Sequence, residues 1–362
     1  MNEDQVSPPW TQPWPADGLE RVPQCPVCGS AAREILHRDV VDNVLFRAPG
    51  TWTLWRCAGC RCGYPDPRPT AASIHLAYEG YHTHAAPAFT PAERGLARLR
   101  RSISNGYKNW RFGTRLAPAT PLGVVVTRIL APIRTRIDRE FRHLPLLPGG
   151  GRVLDVGCGD ATFLVSARLA GWQAVGIDFD PEVVRNARAQ GLEVTQSSVE
   201  DLDQPEGSFD VITVAHVVEH VHDPASLIAR CFQLLKPGGV LWIETPNIDS
   251  LGHARFGKNW RGLEAPRHLA LFNRASLEAL LRKAGFAMVR DVPQAGPCRA
   301  MYTMSDRMQR DRSPYEEGPI TLRLRCEILV AQFAQMCLGA SRKEFLAVVA
   351  TKPEQGATTR GH

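Results

Sequence analysis

The stretch Val153-Leu154-Asp155-Val156-Gly157-Cys158-Gly159-Asp160-Ala161-Thr162-Phe163-Leu164 limits this chain to few architectures. A buried β run that ends in a glycine turn and opens a helix brings backbone N–H groups and a helix N-terminus close to a ligand. Glycine permits this because it has no Cβ to obstruct the approach. The turn suits a nucleotide-like cofactor. A dinucleotide site wants a third glycine for close helix packing and places pyrophosphate on the helix end. Thr162 holds that third slot here, and Asp155 puts a carboxylate two residues before the first glycine. A carboxylate there repels pyrophosphate but suits a cationic amino-acid group. Asp178, 21 residues beyond Gly157, closes the next β-rich run and is placed to accept hydrogen bonds from both ribose hydroxyls.

Charge therefore favours S-adenosylmethionine over a nicotinamide dinucleotide. From 151 to about 290 short β-rich runs alternate with helical patterns, the signature of a parallel α/β sheet with helices on both faces. The predicted strands are 152–156, 174–178, 193–195, 209–214 and 239–244. Two late strands follow at 286–289 and 344–350, with a helical insertion at about 300–340 between them. Asp180-Pro181 and Asp223-Pro224 read as helix caps followed by proline at the first helical position. The chain divides into an irregular lead-in (1–22), a small separate cysteine module (23–80), a basic helical linker or cap (81–145), the core (146–353) and a polar tail (354–362). Its 362 residues leave room for two or three such units. Neither a membrane-spanning apolar run nor a signal-peptide pattern occurs at Met1-Asn2-Glu3-Asp4-Gln5 or beyond, so the expected location is the cytoplasm.

The glycine turn, Gly176-Ile177-Asp178, Ser197-Ser198-Val199-Glu200-Asp201-Leu202, Ser208-Phe209-Asp210-Val211 and Leu235-Lys236-Pro237-Gly238-Gly239 occur in one order and spacing. In this, residues 151–290 resemble the class I S-adenosylmethionine-dependent methyltransferases. The resemblance implies a Rossmann-like seven-stranded sheet of order 3-2-1-4-5-7-6 with the seventh strand antiparallel. It implies a cofactor site made of Asp155, Gly157, Cys158, Gly159, Asp178, Phe179, Ser198, Val199 and Ala215. Asp178 would serve the ribose, the loop around Ser198 and Val199 the adenine, and Asp155, Gly157 and Ala215 the methionine end. Relatives commonly carry Asp where Ser198 stands, so the adenine amino contact is weaker here or passes to Glu200 or Asp201. The cysteine module, Tyr64-Pro65-Asp66-Pro67-Arg68-Pro69, Thr245-Pro246-Asn247 and Pro266-Arg267-His268 together resemble bacterial methyltransferases of polysaccharide and sugar biosynthesis. That resemblance implies a sugar or glycan-linked hydroxyl as acceptor.

After the fourth predicted strand the chain reads Ala215-His216-Val217-Val218-Glu219-His220. If a short helix starts there, His216, Glu219 and His220 share one face at the carboxyl end of the sheet, where the reactive methyl belongs. Three roles are open. Imidazole, with an ordinary pKa of about 6.5, can take the proton of an attacking hydroxyl. With His268 the group makes a three-His, one-Glu metal site, similar to the E-x-x-E-H plus distant His pattern of magnesium-binding small-RNA and quinone O-methyltransferases. His216 replaces the first Glu of that pattern, and a nitrogen-rich set suits Mg²⁺ poorly. The third role is structural hydrogen bonding. Residues 256–269, with Trp260, Arg261 and Arg267, read as a substrate-recognition loop. No Asn-Pro-Pro-Tyr or Asp-Pro-Pro-Tyr follows the fourth strand, so exocyclic base nitrogens are not expected acceptors.

Five of the ten cysteines fall between 25 and 62, behind a predicted strand at 51–55 for the second pair. Cys25-Pro26-Val27-Cys28 and Cys57-Ala58-Gly59-Cys60 are two C-x-x-C turns 28 residues apart, the spacing of a zinc ribbon. Four thiolates bind Zn²⁺ tetrahedrally and leave no open position, so the expected metal is structural. Cys62 is spare. Lys and Arg exceed Asp and Glu by six over the chain, and residues 81–145 alone hold an excess of nine. Within 121–143, apolar residues interleave with Arg128, Arg134, Arg136, Arg139 and Arg142. The segment suits an anionic membrane surface at the inner face, the phosphates of a lipid- or nucleotide-linked sugar, or the cofactor-site cap. The expected partner is a small-molecule or glycan-linked substrate and not nucleic acid. A tRNA or rRNA methyltransferase, a quinone-type enzyme and an inactive zinc-dependent scaffold stay as alternatives.

Overall fold

The computed structural model describes residues 8–79, 95–147, 149–294 and 297–354. The first residues of the expected lead-in, the start of the expected basic linker and the tail beyond 354 lie outside the described residues.

The N-terminal part contributes β1 (Leu19–Glu20), β2 (Arg33–Val40), β3 (Trp52–Cys57), β4 (Gly63–Pro65) and β5 (Arg68–Pro69). Strands β2, β3 and β4 form an antiparallel sheet, and β1 pairs with β5. Three helices follow, α1 (Leu96–Phe112), α2 (Leu122–Ile129) and α3 (Ala131–Glu140). Helices α1 and α2 cross at backbone contact. A Cβ at Gly106 would lie 1.8 Å from the Thr120 carbonyl, and one at Gly123 would lie 2.1 Å from the Ile103 carbonyl. The segment 121–143 forms two helices and not one. Leu130 leaves the helical conformation, and Pro132 in the first turn of α3 has no N–H with which to continue the ladder.

The core runs β6 (Arg152–Val156), α4 (Thr162–Leu169), β7 (Gln173–Asp178), α5 (Pro181–Ala189), β8 (Glu193–Gln196), β9 (Phe209–Ala215), α6 (Pro224–Leu234) and β10 (Leu235–Pro246). It continues with α7 (Leu251–Phe256), α8 (Arg274–Lys283), β11 (Met288–Asp291), α9 (Pro297–Gln309), α10 (Leu322–Leu338) and β12 (Phe345–Thr351). The seven strands lie in the order β8-β7-β6-β9-β10-β12-β11, with β12 antiparallel to both its neighbours. This is the expected 3-2-1-4-5-7-6 sheet. Local chemistry starts its helices: Asp180 accepts from the Glu182 N–H, and Asp223 from those of Ala225 and Ser226. Along β6, Leu154 and Val156 enter the main core while Val153 packs on Phe163 and Trp172, so the strand is covered on both faces.

The cysteine module does not stand apart. Val27, Cys57, Cys62 and Tyr64 share one apolar cluster with Phe272, Leu277 and the central strands. Trp14, Trp52 and Leu54 share another with Ile248, Phe256 and Trp260. Gly63 and Leu271 exchange two backbone hydrogen bonds, of 2.9 and 2.7 Å. A piece of this size buries too little surface by itself, and its aromatic residues find their cover on the larger core.

At the far end, the Glu344 carboxylate is buried where α7, α10 and the loop after α7 meet. It accepts from the Trp260 Nε1–H (2.9 Å), the Gly252 N–H (3.0 Å) and Gln335 Nε2 (3.1 Å). Burial pushes its pKa up from 4.5 to about 7 in spite of those donors. A carboxyl that holds its proton more tightly folded than unfolded costs stability progressively as pH rises from its unfolded value through its folded one. Glu344→Gln removes that dependence. Between about pH 5 and about pH 8 the melting temperature of the variant is expected to shift upward relative to wild type. Parallel profiles across that range would contradict the assignment.

Candidate active site

The glycine turn after β6 spends its amides internally. Gly157 and Cys158 N–H groups donate to the Ile177 carbonyl (2.8 and 3.0 Å), and Gly159 N–H donates to Asp178 Oδ2 (2.9 Å). No anion cradle of free amides is left at these three positions, in keeping with a cofactor that does not present pyrophosphate there. Gly157 (φ 67°) and Gly159 (φ 51°) are left-handed. A Cβ at Gly157 would strike Val217 at 2.5 Å, whereas one at Gly159 would meet nothing within 4 Å, so open space faces the turn. Asp178 is aimed by Gly159 and by the Asp180 N–H (3.0 Å). Beside it, Phe179 is 69% exposed, an apolar face free for a base. The fit to S-adenosylmethionine is good on this side.

Other predicted cofactor residues sit differently. The Cys158 side chain is buried among Leu164, Val184 and Val194, so only its backbone belongs to the turn. Val199 is buried in the main core. The Ser198 hydroxyl is engaged with Asp201, donating to its carboxylate (2.8 Å) and accepting from its N–H (3.0 Å). Asp155 is wholly buried, and its charge is answered from within the chain: Arg142 pairs with Oδ1, and the Thr213 hydroxyl donates to the same oxygen at 2.9 Å. Burial pushes its pKa up, against the pull of Arg142. Oδ2 has no partner and is an acceptor suited to a ligand's ammonium. Asp155, expected at the methionine end, is thus shared with Arg142. That guanidinium lies 4.2 Å from the Phe163 ring centroid and 5.5 Å from that of Trp242. Ala215 closes β9, half-buried at the carboxyl end of the sheet.

The segment after β9 is a turn and not the expected helix. His216 takes a left-handed φ of 54°, which swings its ring between two carboxylates. Nδ1 lies 3.2 Å from Glu219 Oε1, and Nε2 lies 3.2 Å from Glu244 Oε1. Burial alone would lower its pKa, but the two carboxylates outweigh it and hold it up at about 9. His216 is therefore an imidazolium at neutral pH, which removes it as a proton acceptor. Glu244 also takes Arg139 through two contacts, Nη2 at 2.6 Å and Nε at 3.1 Å. Glu219 is buried, with the Thr245 hydroxyl donating to Oε2 at 2.9 Å.

His220 and His268 turn toward each other, ring centroids 4.6 Å apart at 77°. Donor atoms of Glu219, His220 and His268 all lie within 4.8 Å of one another. His216 is not part of this group. The His268 Nδ1–H donates to the Gly262 carbonyl (2.8 Å), which leaves Nε2 as the lone-pair nitrogen. Burial first, and then the neighbouring His220, push its pKa down to about 4. His220 Nδ1 lies 2.9 Å from the Tyr78 hydroxyl and 3.2 Å from the Arg267 carbonyl. Tyr78 is a contributor that the sequence did not point to, whereas Arg139 and Arg142 belong to the 121–143 segment for which a cofactor-site cap was one reading.

The expected substrate loop is largely structural. Trp260 and Arg267 are fully buried, Arg267 pairing with Asp42 and Glu264, and Arg261 pairs with Glu264. Asn247 donates to the carbonyls of Ser341 (2.9 Å) and Lys343 (2.8 Å). In the cysteine module the four predicted sulfurs converge. Cys25 and Cys60 Sγ are 3.6 Å apart, Cys28 and Cys57 3.5 Å, and all four lie within 4.8 Å of one another. A tetrahedral zinc with bonds of about 2.3 Å sets sulfurs about 3.8 Å apart, so the residues fit the ion. Cys62 Sγ lies 3.7 Å from Cys25, buried behind the set.

Residues 129–291 match the family model described as a methyltransferase domain. Among curated proteins, the ubiquinone biosynthesis O-methyltransferase of Xanthomonas axonopodis pv. citri is 42% identical over 125 residues, 33% of this chain and 51% of its own length. That of Xanthomonas oryzae pv. oryzae is 46% identical over 119 residues, 31% of this chain and 49% of its own. The chain thus spans about half the length of the curated relatives it matches. Among solved structures, a SAM-dependent methyltransferase from Archaeoglobus fulgidus is 21% identical and aligns with 62% of this chain and 94% of its own at a TM-score of 0.42. One from Mesorhizobium loti is 20% identical, with 60% and 98% covered, at 0.42.

Two outcomes follow from this geometry. Asp178→Ala should weaken S-adenosylmethionine binding by about a hundredfold in calorimetry, because ribose and turn lose the same acceptor; binding within a few-fold of wild type would contradict the placement. Elemental analysis of the purified chain should find one zinc, and Cys57→Ser should release it and lower the melting temperature, since Cys57 also belongs to the shared core. A metal-free, equally stable wild type would sink the zinc assignment.

Proposed function

We propose that this chain is an S-adenosylmethionine-dependent O-methyltransferase whose acceptor hydroxyl is deprotonated at the His220–His268 pair. One observation carries the reading: the turn that bears Glu219 and His220 leans on the cofactor turn. Val217 fills the space beside Gly157, and β9 pairs with β6 through Val214 and Val156. The acid–base groups and the cofactor turn therefore open on the same end of the sheet, where ligands of such folds bind. When bound, the cofactor supplies an electrophilic methyl on a sulfonium.

The chain's own residues do the rest. Arg139 on α3 and Arg142 in the turn just after it hold Glu244 and Asp155 in place. Glu219 and Glu244 keep His216 charged, and in turn its two N–H groups hold those carboxylates in place. The proton of the hydroxyl passes to His220 Nε2 when Nδ1–H donates to the Arg267 carbonyl, and His268, kept neutral by burial with its Nδ1–H on Gly262, stands beside it. The two imidazoles with Glu219 also make a mixed nitrogen and oxygen donor set that suits a borderline divalent ion better than magnesium.

The relatives' names support an acceptor of the quinone-precursor kind. A sugar or glycan-linked hydroxyl is the second reading, resting on the cysteine module combined with Pro266-Arg267-His268. Burial of Trp260 and Arg267 withdraws the stacking and hydrogen-bonding contacts that the sugar reading expected. Mass spectrometry of phenolic quinone precursors and of nucleotide sugars, each incubated with enzyme and cofactor, tests the two for a gained methyl. His220→Ala should lose turnover by about a hundredfold or more while S-adenosylmethionine binding stays intact. Full turnover in both His220→Ala and His268→Ala would overturn the proton-acceptor assignment.

A further inference from the structure

We propose that the outer face of α1–α3 docks this protein on an anionic lipid bilayer. On that face large apolar side chains stand in solvent: Trp110 is 52% exposed, Leu122 64%, Val125 53% and Ile129 75%, with Ile133 following on α3. Leu122, Val125 and Ile129 recur at i, i+3 and i+7, a single stripe of one helix. The stripe cannot turn inward, because the opposite face of α2 is fixed by Gly123 and Thr127, which are buried where the helices cross. Arg128 lies over Trp110 at 5.6 Å, so an aromatic ring and a guanidinium form one amphipathic unit of the kind that settles at a membrane interface.

Charge selects the occupant. Residues 95–147 hold eleven Lys and Arg against Asp138 and Glu140. Both acids are engaged inside the helical unit, Asp138 accepting from the Tyr107 hydroxyl (2.8 Å) and Glu140 from Lys108 (2.6 Å). Arg98, Arg100, Arg115, Arg128 and Arg136 remain exposed on the helical unit that carries the apolar stripe. A second copy of the chain would bring the same positive charge against itself. A nucleic acid would leave Leu122, Val125 and Ile129 without a use. Anionic lipid answers both, with phosphates for the arginines and acyl chains for the stripe. Among the described residues no helix is long and apolar enough to cross a membrane, and α2 has eight residues, so the contact lies along the surface. Helix α3 presents Ile133 and Arg136 outward and Arg139 to Glu244, so the element that touches lipid also covers the candidate active site.

The test is co-sedimentation of the full chain with vesicles of phosphatidylcholine alone or with about a quarter phosphatidylglycerol. The expected result is binding to the anionic vesicles only, weakened by salt, and about tenfold weaker in Ile129→Glu and Leu122→Glu at unchanged melting temperature. Absence of binding to anionic vesicles would overturn the proposal. So would equal binding by both variants, a dimer that Ile129→Glu converts to monomer in light scattering, or tighter capture by RNA than by vesicles. Vesicle binding is read without methyl transfer, so its failure leaves the proposed chemistry untouched.

Discussion

One guanidinium holds together three segments that are distant in sequence. Arg267, wholly buried, donates to both oxygens of Asp42, to the Ala77 carbonyl (3.0 Å) and to Glu264 (3.1 Å). Asp42 in turn accepts from the backbone N–H groups of Val44, Leu45, Arg47 and Ala48, which shapes the loop between β2 and β3. Ala77 precedes Tyr78, and Arg267 precedes His268, so the pair that docks the N-terminal sheet also sets the two side chains flanking His220. A charge buried this deeply is tolerated only when its donors are used, and here nearly all are. The N-terminal sheet is thereby a wall of the candidate active site as well as a carrier of cysteines.

A second balance governs the site itself. Asp155, Glu219 and Glu244 face Arg142, Arg139 and the imidazolium of His216, three negative groups against three positive ones. Each carboxylate is buried, and each would be costly without its partner. The result is a site without large net charge, built from fixed dipoles and pairs and not from mobile solvent. A cation that carries a methyl group meets polarity there, but neither strong repulsion nor a trap.

The features legible in the sequence are those written in local pattern. The glycine turn, the acid closing β7, the cap-and-proline pairs and the seven strands all depend on residues a few positions apart, where periodicity and backbone freedom decide. The two C-x-x-C turns were legible for the same reason, since thiol spacing is a local constraint. The helix expected after β9 failed because Glu244, from the neighbouring strand, holds His216 in a left-handed conformation that local propensity disfavours. Trp260 and Arg267 looked like substrate contacts because a polar, aromatic loop resembles a recognition loop until its cover is known. Their partners Glu344 and Asp42 lie 84 and 225 residues away, and no window on the sequence joins them.

The shared cores have a practical corollary. The matched domain begins at residue 129, yet Ile248, Leu271 and Phe272 within it are covered by side chains encoded before residue 66. Trimming the chain to the matched domain would strip an apolar flank and strand a buried guanidinium. The N-terminal segment and the core are thus one packing problem: a change in Trp52, Leu54 or Tyr64 is felt by side chains some 200 residues downstream.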